Sequence, residues 1–176
     1  VAEEDINQLA EWGFNSVRLP FHYKTLSPTY GSFNEKGFSV IDSVIAWCSR
    51  NEIYLILDMH VAPGSQSGDE NADGDEGAKL WDSPENQEWA VDIWGEIARR
   101  YATERWIGGY DLLNEPVLFN GGSQVRNLQR RMRNRIRKYD LNPTLFVNGN
   151  SGMNIRNTEA MFTEKGKQIT KAVFGE

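Results

Sequence analysis

The segment YDLLNEPV, Tyr110 to Val117, sets an apolar run directly against an Asn–Glu pair and closes it with a proline. A carboxyl group can give or take a proton, and the amide beside it offers both a donor and an acceptor. Such a pair at the end of a buried run is equipped to act on a polar substrate. Three other short apolar segments end in the same style. SVRLPF carries Arg18 and Pro20, IYLILDMH carries Asp58 and His60, and TLFVNGN carries Asn148 and Asn150. Arg18 is also suited to pair with Asp58, and His22 in PFHY reads as a structural residue.

These segments need elements that bring their ends together. Ile6, Leu9 and Ala10 recur at helical spacing in Glu3 to Trp12, which Gly13 ends before the run SVRLPF. The same order returns three times. Helices expected near Phe38 to Asn51, Pro84 to Tyr101 and Ser123 to Tyr139 each precede an apolar run, so strands are expected near 16–21, 54–59, 110–114 and 144–148. Apolar strands separated by helices of this length imply parallel pairing with both sheet faces covered, which is an α/β architecture. Neither G-x-G-x-x-G nor a P-loop pattern follows any strand, which weighs against a nucleotide-binding sheet. Polar residues collected at the C-terminal ends of several strands favour a (β/α)8 barrel.

Composition narrows the partners. A net charge of −6 and a pI near 5.1 disfavour nucleic acid. The basic run RNLQRRMRNRIRK, Arg126 to Lys138, distributes its arginines around a helix with Leu128, Met132 and Ile136 on its apolar side, and reads as a solvated face. A mean hydropathy of −0.58 and the lack of a long uncharged apolar run argue against a membrane span. The single cysteine, Cys48, sits in a helix-like apolar segment and reads as a buried, inert thiol. No signal peptide is visible at VAEEDINQLAEWG.

GFNSVRLPF, LILDMHVAPGSQSG, WIGGYDLLNEP and TLFVNGN, in this order, resemble the strand-end motifs of glycoside hydrolase family 5, the cellulase-like retaining β-glycosidases. The similarity covers residues 9–150, and HVAPGSQSG is particularly similar to the loop of members acting on β-1,3-glucans and of related bacterial cellulase-like proteins. The resemblance implies a TIM-barrel catalytic domain that cleaves β-1,4- or β-1,3-glucan with retention, without cofactor or metal, in a secreted or periplasmic setting. It makes Glu115 the general acid/base, Asn114 the amide that holds the sugar 2-hydroxyl, Arg18 the arginine that supports the nucleophile and His60 a substrate-side histidine. A retaining glycosidase also needs a carboxylate nucleophile about 5 Å from the acid. The closing VFGE resembles the family's nucleophile strand only weakly, with Glu176 in the matching position.

A complete (β/α)8 barrel takes about 250 residues, whereas this chain of 176 accounts for four strands, so one partial barrel over residues 1–176 is expected, with 151–176 unassigned. The alternative is a non-catalytic half-barrel that binds carbohydrate or self-associates through open sheet edges. An incomplete barrel should leave Leu55, Leu57, Leu112 and Val147 underburied. Trp47, Trp89 and Trp94 are expected in the core, while Trp81, in a loop, is open to stacking on a sugar. Asp69, Asn71, Asp73 and Gly74 mimic the start of a calcium loop, but Leu80 stands where the ligating glutamate belongs, leaving an acidic rim loop.

Overall fold

The computed structural model describes residues 1–150. Helix α1 (Glu3–Glu11) leads into β1 (Ser16–His22), followed by a single turn of helix, α2 (Tyr23–Leu26), and then by α3 (Glu35–Arg50) and β2 (Tyr54–Val61). A long loop with one 3₁₀ turn (Glu70–Ala72) precedes α4 (Pro84–Tyr101) and β3 (Ile107–Asp111), and α5 (Gly122–Ile136) returns the chain to β4 (Thr144–Phe146). The four strands form one sheet in the order β1-β2-β3-β4, every pair parallel. This is a partial barrel of the (β/α)8 type, as the alternation of apolar runs and helices predicts.

Capping explains where the helices begin. Asn34 accepts the Lys36 N–H through its side chain at 3.2 Å and starts α3 three residues before the expected Phe38, while Ser83 caps α4 by accepting the Asn86 N–H at 3.1 Å. The turn α2 goes unannounced by any hydrophobic periodicity. His22 caps it, with Nδ1 accepting the Lys24 N–H at 3.1 Å.

Strand β3 is displaced from the expected 110–114 to Ile107–Asp111. The glycines decide this. A Cβ on Gly109 would stand 2.8 Å from the Thr144 carbonyl oxygen and 2.6 Å from the Phe146 ring, so only a bare backbone lets β4 pair there. Leu112 to Asn114 lie beyond the strand yet stay fastened, with the Leu112 N–H on the Phe146 carbonyl and the Asn114 N–H on the Met59 carbonyl, both at 3.1 Å. The ladder of β4 also ends at Phe146, two residues short of expectation.

The core lies on the helix side of the sheet. Leu55, Leu57, Met59, Tyr110 and Leu112 are fully buried against Phe38, Val44 and Cys48 of α3 and Ile93, Trp94 and Ile97 of α4. The expected underburial of Leu55, Leu57 and Leu112 is therefore wrong, and Val147 is half-buried. The helices cover the face that carries these leucines. The other face follows the pleat through Arg18, Ile56, Asp58, Asp111 and Phe146, and there Tyr54 and Phe146 are 48% and 42% exposed. Trp94 donates its indole N–H to the Leu112 carbonyl at 3.0 Å, and Trp47 and Trp89 pack partly buried against the same core. Burial raises the Cys48 thiol to about 11, consistent with an inert thiol.

The arginine face of α5 is solvated only in part. Arg131 and Arg135 reach across to Glu88 and Asp92 on α4, joining the two helices through ion pairs. Among the described residues, no helix is long and apolar enough to cross a membrane.

Close approach between α2 and α3 rests on Gly37, where a Cβ would fall 2.0 Å from the Thr25 carbonyl oxygen. Alanine is the better helix former by about 1 kcal/mol, but here the clash with backbone outweighs that gain. Gly37→Ala is expected to lower stability by about 1–3 kcal/mol in urea titrations, whereas a neutral or stabilising effect would mean that the two helices separate at little cost.

Candidate functional site

The C-terminal halves of β2 and β3 converge on one guanidinium, reached from the first half of β1. Arg18 on β1 donates from Nε to Asp111 Oδ2 at 3.0 Å and from Nη2 to Asn114 Oδ1 at 2.8 Å. The same Nη2 stands 3.0 Å from Asp58 Oδ2 and 2.9 Å from Asp111 Oδ2. Register explains the meeting, because Asp58 on β2 lies level with Asp111 on β3 and both side chains point to the face that carries Arg18. The anticipated Arg18–Asp58 pair is present, and Asp111, which the sequence reading passed over, completes it.

Asp58 is fully buried, and its Oδ2 also meets His60 Nδ1 at 2.8 Å. An ionised carboxylate has no proton to give, so Nδ1 carries the hydrogen and the neutral ring keeps Nε2 as its acceptor. Burial pushes Asp58 up to about 6, opposed by the hydrogen bond from His60 and the charge of Arg18. Asp111 is raised as well, again chiefly by burial, with Arg18 and the Asn148 amide opposing. That amide, Asn148 Nδ2, donates to Asp111 Oδ1 at 2.8 Å, which draws the end of β4 into the network.

Arginine has only donors, so the oxygen of the Asn114 amide must face Arg18 and the NH2 group is turned away from it. Glu115 follows with a φ of +40°, a left-handed conformation uncommon for a non-glycine residue, and it is exposed while Asn114 and Pro116 are buried. Such backbone persists only where neighbours over-determine it. Gln66 supplies that restraint. Its Nε2 donates to the Asn114 carbonyl at 2.9 Å and the His60 carbonyl at 2.7 Å, its Oε1 accepts the Ala62 N–H at 3.0 Å, and its own carbonyl accepts the Val117 N–H at 3.0 Å. Gln66 lies inside the segment HVAPGSQSG, but no feature of its spacing announces this role.

The structure therefore brings Arg18, His60 and Asn114 into one network and presents Glu115 beside it. Trp81 behaves otherwise than expected. It is only 6% exposed and spends its indole N–H on the Gln66 carbonyl at 3.0 Å, so its ring braces the loop and has no free face for a sugar. In the acidic loop, Asp73 turns towards His22 at 3.1 Å and Lys24 at 3.4 Å, and those hydrogen bonds hold its carboxyl below the usual range. His22 is thus a structural tie, as read from the sequence. Among the described residues, no group of three or more His, Cys, Asp or Glu side chains is placed to hold a metal ion. Glu176 lies outside the described residues.

Residues 1–172 match the family model for Cellulase (glycosyl hydrolase family 5). The chain is 35% identical over 153 residues to Endoglucanase C of Acetivibrio thermocellus, covering 86% of this chain and 43% of that protein. It is 33% identical over 132 residues to a glucan 1,3-beta-glucosidase of Blumeria graminis, covering 74% and 30%. A glycoside hydrolase crystal structure superposes with a TM-score of 0.76 at 28% identity over 89% of this chain and 49% of that one. Endoglucanase Cel5A from Thermotoga maritima superposes equally well, with a TM-score of 0.76 at 20% identity over 94% and 50%. The chain spans half or less of the length of these relatives. With the parallel partial barrel and the converging strand ends, these matches establish that the chain belongs to the cellulase family, glycosyl hydrolase family 5.

Proposed function

We propose that this chain carries the acid/base side of a retaining β-glycosidase site that hydrolyses β-glucan, with Glu115 as general acid and then general base. One observation supports this most: Asn114 and Glu115 stand together where β3 ends, the amide fixed by Arg18 and the carboxyl open to solvent beside it. A glycosidic oxygen is a poor leaving group, so bond cleavage needs a proton from a carboxylic acid. Glu115 supplies it. The Asn114 NH2, turned away from Arg18, donates to the sugar 2-hydroxyl, and that hydrogen bond strengthens as the ring becomes oxocarbenium-like. His60 offers Nε2 to a sugar hydroxyl, because its Nδ1 is committed to Asp58. Asp58 and Asp111 are occupied by Arg18, which leaves the nucleophile to another carboxylate.

The substrate class follows from the relatives. Endoglucanase C and the glucan 1,3-beta-glucosidase favour a β-glucan, and a relative named Beta-xylosidase from Phanerodontia chrysosporium, 36% identical over 144 residues, makes xylo-oligosaccharides the natural comparison substrate. A polymeric glucan stays outside a cell, which fits a secreted or periplasmic protein.

Replacing Glu115 by Gln keeps shape and hydrogen bonding but removes the proton. For Glu115→Gln, kcat/KM on unactivated cello-oligosaccharides should fall about 10²–10⁴-fold, with much smaller losses in the first step on aryl glycosides whose leaving groups need no acid. Equal losses on both would reject the acid role. Asn114→Ala should slow both substrate types alike, by a few kcal/mol at most, and a substrate-dependent effect would contradict the 2-hydroxyl contact.

The exposed Tyr54 and Phe146 favour a second reading, a half-barrel that self-associates through the open sheet face. Sedimentation velocity should then show a concentration-dependent dimer that Tyr54→Lys disperses, whereas a monomer at all concentrations would dismiss it.

A further inference from the structure

Asp58 carries no chemistry in the proposed reaction, yet it touches both Arg18 and His60. Its Oδ2 faces Arg18 Nη2 at 3.0 Å and His60 Nδ1 at 2.8 Å, and its Oδ1 is buried without a hydrogen-bond partner among the described residues. A buried carboxylate with one bare oxygen is costly to keep ionised, and the Arg18 charge and the His60 N–H on the other oxygen are what offset that cost. The charged groups acting on it are Arg18 from β1, His60 on its own strand and Asp111 from β3.

We propose that Asp58 is the positioning residue of this rim: its carboxylate clamps Arg18 and His60 and, through the Arg18 guanidinium, sets the Asn114 amide towards the substrate. The clamp is sensitive to protons. Burial raises Asp58 to about 6, so it takes up a proton while the ordinary surface carboxylates are still ionised. Above that point the charge holds both partners. Below it, Asp58 loses its attraction for Arg18, and Arg18 is left to Asp111, which moves the hydrogen bond to Asn114 Oδ1. Asp111 cannot replace Asp58, because it does not reach His60 and already accepts the Asn148 amide on its other oxygen. The proposal rests on the reading of Asn114 as a substrate-facing amide, but the placement of that amide can be measured without any hydrolysis.

The test is an NMR titration of the isotope-labelled chain from pH 7.5 to 4.5, following the Asp58 and Asp111 Cγ signals and the Asn114 side-chain amide. The Asn114 amide should shift with the midpoint of Asp58 Cγ, while the Asp111 signal identifies any step of its own. In Asp58→Asn the step at that midpoint should vanish, with thermal unfolding still cooperative. Should that variant fail to fold, the titration of the unmutated chain decides alone. An Asn114 amide that stays still through the Asp58 midpoint, or the same step in Asp58→Asn, would overturn the proposal. A chain that hydrolyses nothing but shows the coupled shift would refute the glucanase reading and leave the positioning role standing.

Discussion

The rim of this sheet depends on one guanidinium. Arg18, from β1, joins the C-terminal halves of β2 and β3 by contacting Asp58 and Asp111 and by donating to Asn114. Two carboxylates side by side on adjacent strands repel, and burial makes each harder to ionise. A planar donor fork between them resolves both problems and fixes an orientation that a lysine could not. The Asn114 amide inherits its direction from that fork, and Glu115 follows in a backbone conformation held by Gln66.

Much of this was legible in the residues. The alternation of helical and apolar segments predicts the parallel order, and the polar strand ends mark the rim. Arg18, His60, Asn114 and Glu115 were all nameable because each sits at the end of an apolar run. What was not legible has specific causes. β3 begins at Ile107 because Gly108 and Gly109 leave room for Tyr54 on one side and β4 on the other, and glycine carries no pattern that predicts pairing. Asp111 was hidden because its partner lies 93 residues away. Gln66 works through backbone carbonyls that no motif encodes, and Trp81 looked free only because the residues covering it lie elsewhere in the loop.

The partial barrel divides its apolar surface unevenly. Leucines that were expected to be underburied are sealed beneath α3 and α4, so the described residues hold a core of their own. The opposite face bears the contrast, carrying the charged network with the exposed ring of Phe146 level with Asp111 and the exposed ring of Tyr54 lower down. Site and open surface thus share one side of the sheet.

The most direct measurement is a crystal structure of the chain soaked with a β-glucoside. The account predicts the sugar 2-hydroxyl within hydrogen-bond distance of Asn114 Nδ2, Asn114 Oδ1 still on Arg18, and the Glu115 carboxyl against the glycosidic oxygen. A sugar bound away from the end of β3, or one held by Asn114 Oδ1 with Arg18 swung aside, would contradict it.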